Sequence, residues 1–436
     1  MTNQNMDMAC HAVEIFFERA HGGKRDVLRI RLMAEEKSAS CGMLSRFMPE
    51  KNIRRKKMNN VFSQEEINTG RQREFDYLKG VFMLFIYLIH AFQATLSMED
   101  SITQGIYMFA TMSGAAIFIF VMGIGTVYSR NAAPAELAKS GIRMVFYQYL
   151  NNMAYVAALL IPYPFVRGNL SETGMGNFKF LIEIYIQYTN IFFITGIIYL
   201  VLALFKKRDL KRRHAPKAGL WTEIAGYVAA GAAVSIAAPF LYGKPVNVPV
   251  LGYMIKLLVG EADFVSFTPL YFLSYALFGV AFGKILRHVK DKAGFYKILA
   301  VPSTLVVIIW WAVIFGKYGS DISEMRAVLV DGYTQPDFWH VMASMAHIFV
   351  FAIIFFFIGR TGRKDGKTCE PKNPAAKQLL YYSRHISKYY ALHVTVYFIA
   401  LGIHGYESFK SYQCWLLALL SMIMTELMVR GYNRMK

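Results

Sequence analysis

The chain has 436 residues, 55% of them hydrophobic, with 48 Lys or Arg against 29 Asp or Glu and a formal charge of +19. Apolar runs near the twenty residues needed to cross a bilayer recur along it, which excludes a soluble enzyme or one with a single anchor and predicts an all-α, polytopic membrane bundle. In a soluble chain that charge would suggest nucleic acid; here the basic residues sit between apolar runs and mark one side of a membrane, so the expected partner is membrane lipid and no nucleic acid.

Residues 1–57 are polar and charged, end in Lys51-Asn-Ile-Arg-Arg-Lys-Lys57, and hold no apolar core of signal-peptide type. We assign 1–70 to a loosely ordered cytoplasmic segment with short amphipathic stretches at 13–19 and 27–33, and give it no chemistry. Met58 would serve equally well as the start of the functional protein, and residues 71–436 form the membrane domain.

The first span, Arg73 to Ala91, carries charge into apolar sequence and leaves a histidine inside it. Asp76 and Lys79 are one helical turn apart and can pair, while Gly80 allows another helix to come close. His90 lies eleven residues beyond Lys79, about 16 Å along a helix axis. An ionisable group at that depth is costly in lipid and is by default a functional candidate, the alternative being a histidine tied to a neighbouring carbonyl.

Ten spans are predicted, near 75–95, 105–129, 141–163, 188–206, 221–242, 264–287, 296–316, 338–359, 386–404 and 411–430. Residues 178–187 and 248–260 read as short interfacial or re-entrant segments. With the amino terminus cytoplasmic, the inner connections hold 24 Lys or Arg and the outer ones seven, which places both termini in the cytoplasm.

Other polar groups fall at membrane depth. Gln148, Asn151 and Asn152 in the third span could donate to an oxyanion or bond between helices. His347 in the eighth and His393 in the ninth could line a cavity, orient His90, or bond across helices. Arg73 and Glu74 read as interfacial, and Asp76 as a partner of Lys79 or Arg143. Lys79, Arg130, Lys139 and Arg143 could line a cytoplasmic mouth for phosphate groups or snorkel to lipid phosphates. Gly123-Ile-Gly125 reads as a close helix contact. Cys10, Cys41, Cys369 and Cys414 form neither a CxxC motif nor a disulfide frame, and no metal-ligand spacing occurs. The outer loop 317–337, with Asp321, Asp331 and Asp337, is an acidic polar surface that either meets an acceptor or is solvated.

These motifs carry a family resemblance over residues 71–430. Asp76-x-Leu-Lys-Gly80 followed by His90 resembles the first helix of transmembrane acyltransferases, with lysine where those families usually have arginine. Phe118 to Arg130 resembles their second helix, and Lys139-Ser-Gly-Ile-Arg143 with Tyr149-Leu-Asn-Asn152 the entry to the third. Phe267-Thr-Pro-Leu-Tyr271, Phe282-Gly-Lys284 and Ser387 to His393 bring the chain nearer the heparan-alpha-glucosaminide N-acetyltransferase-like branch than the acyltransferase-3 branch. The resemblance implies transfer of an acyl group, usually acetyl from cytosolic acetyl-CoA, to a hydroxyl or amine of a glycan or cell-envelope acceptor. It further implies His90 as base or nucleophile with Lys79 and Asp76 beside it, and CoA phosphates held by Lys79, Arg143, Arg130 and Lys139. The competing class is a proton-coupled secondary transporter or exporter, which needs similar intramembrane groups; a non-catalytic membrane partner or sensor is a third. A bacterial plasma membrane is the expected location, and a homo-oligomer is compatible with the sequence.

Overall fold

The computed structural model describes residues 61–95, 101–129, 133–162, 189–213, 219–244, 249–260, 267–319, 321–326, 329, 336–360, 371, 373–404 and 410–435. The predicted segment 178–187, Arg130, Cys10, Cys41, Cys369 and, in the loop 317–337, residues 320, 327, 328 and 330–335 lie outside the described residues. The chain divides after Val61, and the unit from Phe62 onward is the helical bundle. Residues 62–68 belong to it: Ser63 N donates to the His288 carbonyl at 2.7 Å, and Ile67 N and Asn68 N both reach the Arg287 carbonyl.

Twelve named helices occur among the described residues: α1 Arg73–Thr95, α2 Ser101–Tyr128, α3 Pro134–Leu160, α4 Ile191–Arg213, α5 Leu220–Leu241, α6 Pro249–Val259, α7 Pro269–Arg287, α8 Lys292–Tyr318, α9 Phe338–Arg360, α10 Pro374–Arg384, α11 Ile386–His404 and α12 Ser411–Arg434. Seven of them (α1, α2, α5, α7, α8, α9 and α12) are long and apolar enough to cross a membrane. The chain is thus an all-α bundle with the helices of a membrane protein. The predicted spans at α3, α4 and α11 are helices of 27, 23 and 19 residues. Polar side chains dilute α3, and the run Lys206 to Arg213 ends α4 in charge. The short helix α6 covers the stretch 248–260, too short to span at 11 residues.

Helix ends follow local chemistry. Glu74 and Asp76 lie in the first turn of α1, where negative charge complements the exposed N–H groups. Proline pre-sets the first turn of α3 and of α7. Asn373 caps α10 by accepting from Ala375 N at 2.9 Å.

α1 is central, packing against α2, α9, α10, α11 and α12, and the remaining close pairs include α2 with α7, α3 with α4, and α5 with α7. The main core is aromatic: Phe75, Phe120, Phe282 and Phe349 meet edge-on or tilted at 5.0–6.3 Å between ring centroids, arrangements that suit the ring quadrupoles. By contrast α8 leaves Ile298, Val301, Leu305, Ile308 and Ile309 more than half exposed. Such a face suits lipid and would be a liability in water.

Glycines set the two tightest approaches to α1 and α2. A Cβ on Gly80 would run into the Leu379 backbone of α10, and one on Gly123 into the Ala276 carbonyl of α7, while Gly279 answers across the same crossing against Phe120. Gly125 faces open space, so only the first glycine of that predicted pair makes the contact. Gly123→Ala is expected to destabilise the protein by about 1–3 kcal/mol, because backbone rather than a flexible side chain must move. Thermal unfolding in detergent measures it, with Gly125→Ala as the neutral control.

Candidate active site

His90 sits seventeen residues into α1, about 26 Å along its axis from Arg73. α11 packs beside α1 and brings up His393, which is fully buried. His393 Nε2 lies 3.0 Å from His90 Nδ1, and the rings are stacked 4.9 Å apart at 25°. His393 Nδ1 is 2.9 Å from the Tyr389 carbonyl oxygen, one turn back on α11.

This geometry fixes the tautomers. A carbonyl oxygen only accepts, so His393 Nδ1 carries the proton. With both rings neutral, His393 Nε2 can only accept, and the 3.0 Å contact uses a proton on His90 Nδ1. The lone pair of His90 therefore lies on Nε2, which has no hydrogen-bond partner among the described residues. His90 lines a small recess together with Ile86, Ile89, Ala115, Phe118, Ile191, Phe267 and Tyr390. Its free volume is about 20 Å³, room for roughly one water molecule. Tyr390 presents its ring edge-on to both His90 and His393, at 5.9 and 5.3 Å. Tyr397 donates to the Tyr87 carbonyl at 2.6 Å, a further tie between α11 and α1 near the pair.

Asp76 lies fourteen residues before His90, about 21 Å away along α1. Its carboxylate holds Lys79 Nζ at 3.3 Å, accepts from Ser383 Oγ of α10 at 2.9 Å, and pairs with Arg71. The predicted pairing with Lys79 is present; Arg71 and Ser383, rather than Arg143, complete it. Arg143 and Lys139 are exposed on α3, a helix packed against α4 and α11, and no contact between either of them and Lys79 occurs among the described residues. Arg130 is outside the described residues.

The amides of α3 serve another purpose. Gln148 Oε1 accepts from the backbone N–H groups of Asn190 and Phe193 at 3.3 and 3.2 Å, satisfying donors at the start of α4. Its Nε2 donates to Asn152 Oδ1 at 2.7 Å. Both side chains are buried and fasten α3 to α4, while Asn151 is half-buried beside them. His347 is likewise tied at both nitrogens, to the Ala343 carbonyl at 2.7 Å and to Trp311 Nε1 at 3.0 Å. It joins α9 to α8 and has no free lone pair.

Sequence alone gives no account of two ionic clusters at the Asp76 end of the bundle. Glu74, read as interfacial, is 4% exposed; it accepts from Lys292 Nζ at 2.6 Å and Tyr296 at 2.9 Å, because α8 starts beside α1. Lys284 of α7 lies between Glu223 of α5 at 2.5 Å and Asp209 of α4 at 3.1 Å, and Tyr227 donates to Asp209 at 2.8 Å. The available signal was charge close to predicted span ends; partners 18 to 222 residues apart on different helices leave no periodic trace.

No protein-family model, curated protein or solved structure matches the chain.

Proposed function

We propose that this chain is an integral-membrane acyltransferase of ten spans with both termini cytoplasmic. It would move an acyl group, acetyl in the simplest case, from cytosolic acyl-CoA to a hydroxyl or amine of a glycan or cell-envelope acceptor in a bacterial plasma membrane. The observation that carries the reading is the His90–His393 pair at the recess: a histidine whose tautomer is fixed from behind and whose remaining nitrogen is an unprotonated base. The resemblance of Asp76-x-Leu-Lys-Gly80 and His90 to transmembrane acyltransferases supplies the reaction.

In this reading His90 is the general base rather than the nucleophile. The acceptor hydroxyl gives its proton to Nε2 as its oxygen bonds to the thioester carbon. The tetrahedral intermediate collapses with cleavage of the C–S bond, and the imidazolium returns the proton to the CoA thiolate, giving an ester and free CoA. Charge on His90 is stabilised because its Nδ1–H already points at the His393 lone pair. Lys79 and Arg71, which pair with Asp76, would meet CoA phosphates at the cytoplasmic end as a point charge and as a planar fork respectively. Arg143 and Lys139, exposed on α3, would then serve lipid phosphates.

The test is purified full-length protein with acetyl-CoA labelled in the acetyl group, offered neutral glycan acceptors. Release of CoA with label on the acceptor is expected. Specific uptake of a solute into vesicles without CoA consumption would replace this reading with a transporter.

A further inference from the structure

The recess beside His90 is matched in size to a single small group. Its free volume of about 20 Å³ exceeds the roughly 10–15 Å³ that one water molecule requires. His90 Nδ1 is covered by His393, which does not line the recess, so the ring edge turned toward the free space carries Nε2. Ile86, Ile89, Ala115, Phe118, Ile191 and Phe267 complete the wall with Tyr390. Only His90 and Tyr390 among these side chains bear a polar atom.

This wall decides what can lie against Nε2. A lone pair there calls for a donor. An ammonium would donate, but it would lose its hydration among hydrocarbon side chains, and no carboxylate lies among the lining residues to balance its charge. A neutral O–H group meets neither obstacle. An oxygen that donates to Nε2 keeps its own lone pairs, and of the lining side chains only Tyr390 could engage one. Such an oxygen is a nucleophile placed against a general base.

A water molecule fits that description as well as an acceptor hydroxyl does. Enzymes that suppress hydrolysis commonly complete the catalytic site only when the second substrate closes it and expels water. Here the His90–His393 contact, its fixed tautomers and the space before Nε2 are all formed by protein side chains and backbone alone. We propose that His90 also activates water, making the chain an acyl-CoA hydrolase whenever the acceptor is lacking. Water gives a proton to His90 Nε2 as its oxygen bonds to the thioester carbon. The tetrahedral intermediate then loses CoA thiolate with cleavage of the C–S bond, and the imidazolium proton passes to the thiolate. Acetyl-CoA and water become acetic acid and CoA. An acceptor hydroxyl takes the same space, so transfer and hydrolysis exclude one another at each turnover. The inference rests on the acyl-CoA donor of the proposed transfer and adds a second nucleophile to it.

The experiment is purified full-length protein in detergent with acetyl-CoA labelled in the acetyl group, in water enriched in heavy oxygen, with and without neutral glycan acceptors. Thiol titration follows CoA, and mass spectrometry follows acetate. Without acceptor, protein-dependent release of CoA and acetate in equal amounts is expected, with one solvent oxygen in each acetate. His90→Gln should slow it about 10²–10⁴-fold. Ala115→Val, which adds two methyl groups to a wall with room for one water, should slow it about tenfold. Thermal unfolding checks that both variants fold, and the product balance of the unaltered protein decides the question if either does not. Labelled acceptor with no acetate above the spontaneous rate overturns the proposal and leaves the transferase reading standing. Acetate with no labelled acceptor upholds the hydrolysis and removes the acceptor from that reading. Neither product overturns both. Hydrolysis unchanged in folded His90→Gln or Ala115→Val places the water elsewhere and overturns the proposal.

Discussion

His90→Gln is expected to lower kcat for acetyl transfer by about 10²–10⁴, the range that a positioned general base supplies, with KM for acetyl-CoA changing little. Glutamine keeps a side chain that can donate to His393 Nε2 and fill the recess, so the fold should hold, but it offers no basic nitrogen. His393 is the sharper test, because it is argued to act through His90. Glutamine at 393 can do what the neutral imidazole does there, donating to the Tyr389 carbonyl and accepting from His90 Nδ1–H; leucine can do neither. His393→Leu is therefore expected to reduce kcat about 10- to 100-fold, the usual loss when the hydrogen-bond partner of a functional histidine is removed, and His393→Gln to recover much of it. Initial rates of CoA release, with unfolding curves for each variant, decide the matter. Equal losses in His393→Leu and His393→Gln would mean that 393 only fills space, and full activity in His90→Gln would remove the base.

The parts of this site that sequence made legible are those encoded locally. The eleven-residue step from Lys79 to His90 and the i, i+3 pairing of Asp76 with Lys79 are properties of one helix, and α1 preserves them. Gly80 likewise showed as a small residue where a helix could approach, and α10 approaches there. His393 was visible as a polar residue at membrane depth, but not its register against His90, which depends on how α11 slides along α1. The same limit explains Gln148: its amide was noticed, yet its use as a cap for α4 requires knowing that α3 and α4 are adjacent. Hydropathy found α2, α8 and α9 readily. It is weaker for α3, whose Gln148 and Asn152 serve contacts within the bundle, and for α4, which ends in a run of charge.

Lys284→Met is expected to be the most destabilising single change outside the recess, at about 3–5 kcal/mol, since it removes the cation that lies between two buried carboxylates and strands their charge. That is a large share of the roughly 5–15 kcal/mol that holds a typical domain together. The cluster joins three helices: α7 through Lys284, α5 through Glu223 and Tyr227, and α4 through Asp209. Tyr227 reinforces it twice, donating to Asp209 and lying 5.2 Å beneath the Lys284 ammonium. Of the three, α4 gains most, because its closing run of charged residues gives it the least apolar surface with which to hold its place. The mechanism makes a further demand. If the cost comes from stranded charge rather than lost packing, then Lys284→Met combined with Asp209→Asn and Glu223→Gln should recover most of the loss, as replacing a whole buried ionic group by neutral residues often does. Denaturant or thermal unfolding in detergent reads both variants. A single mutant within about 1 kcal/mol of the wild type would show that water already reaches these carboxylates, and a triple mutant no better than the single one would show that the lysine stem, not its charge, holds α4 in place.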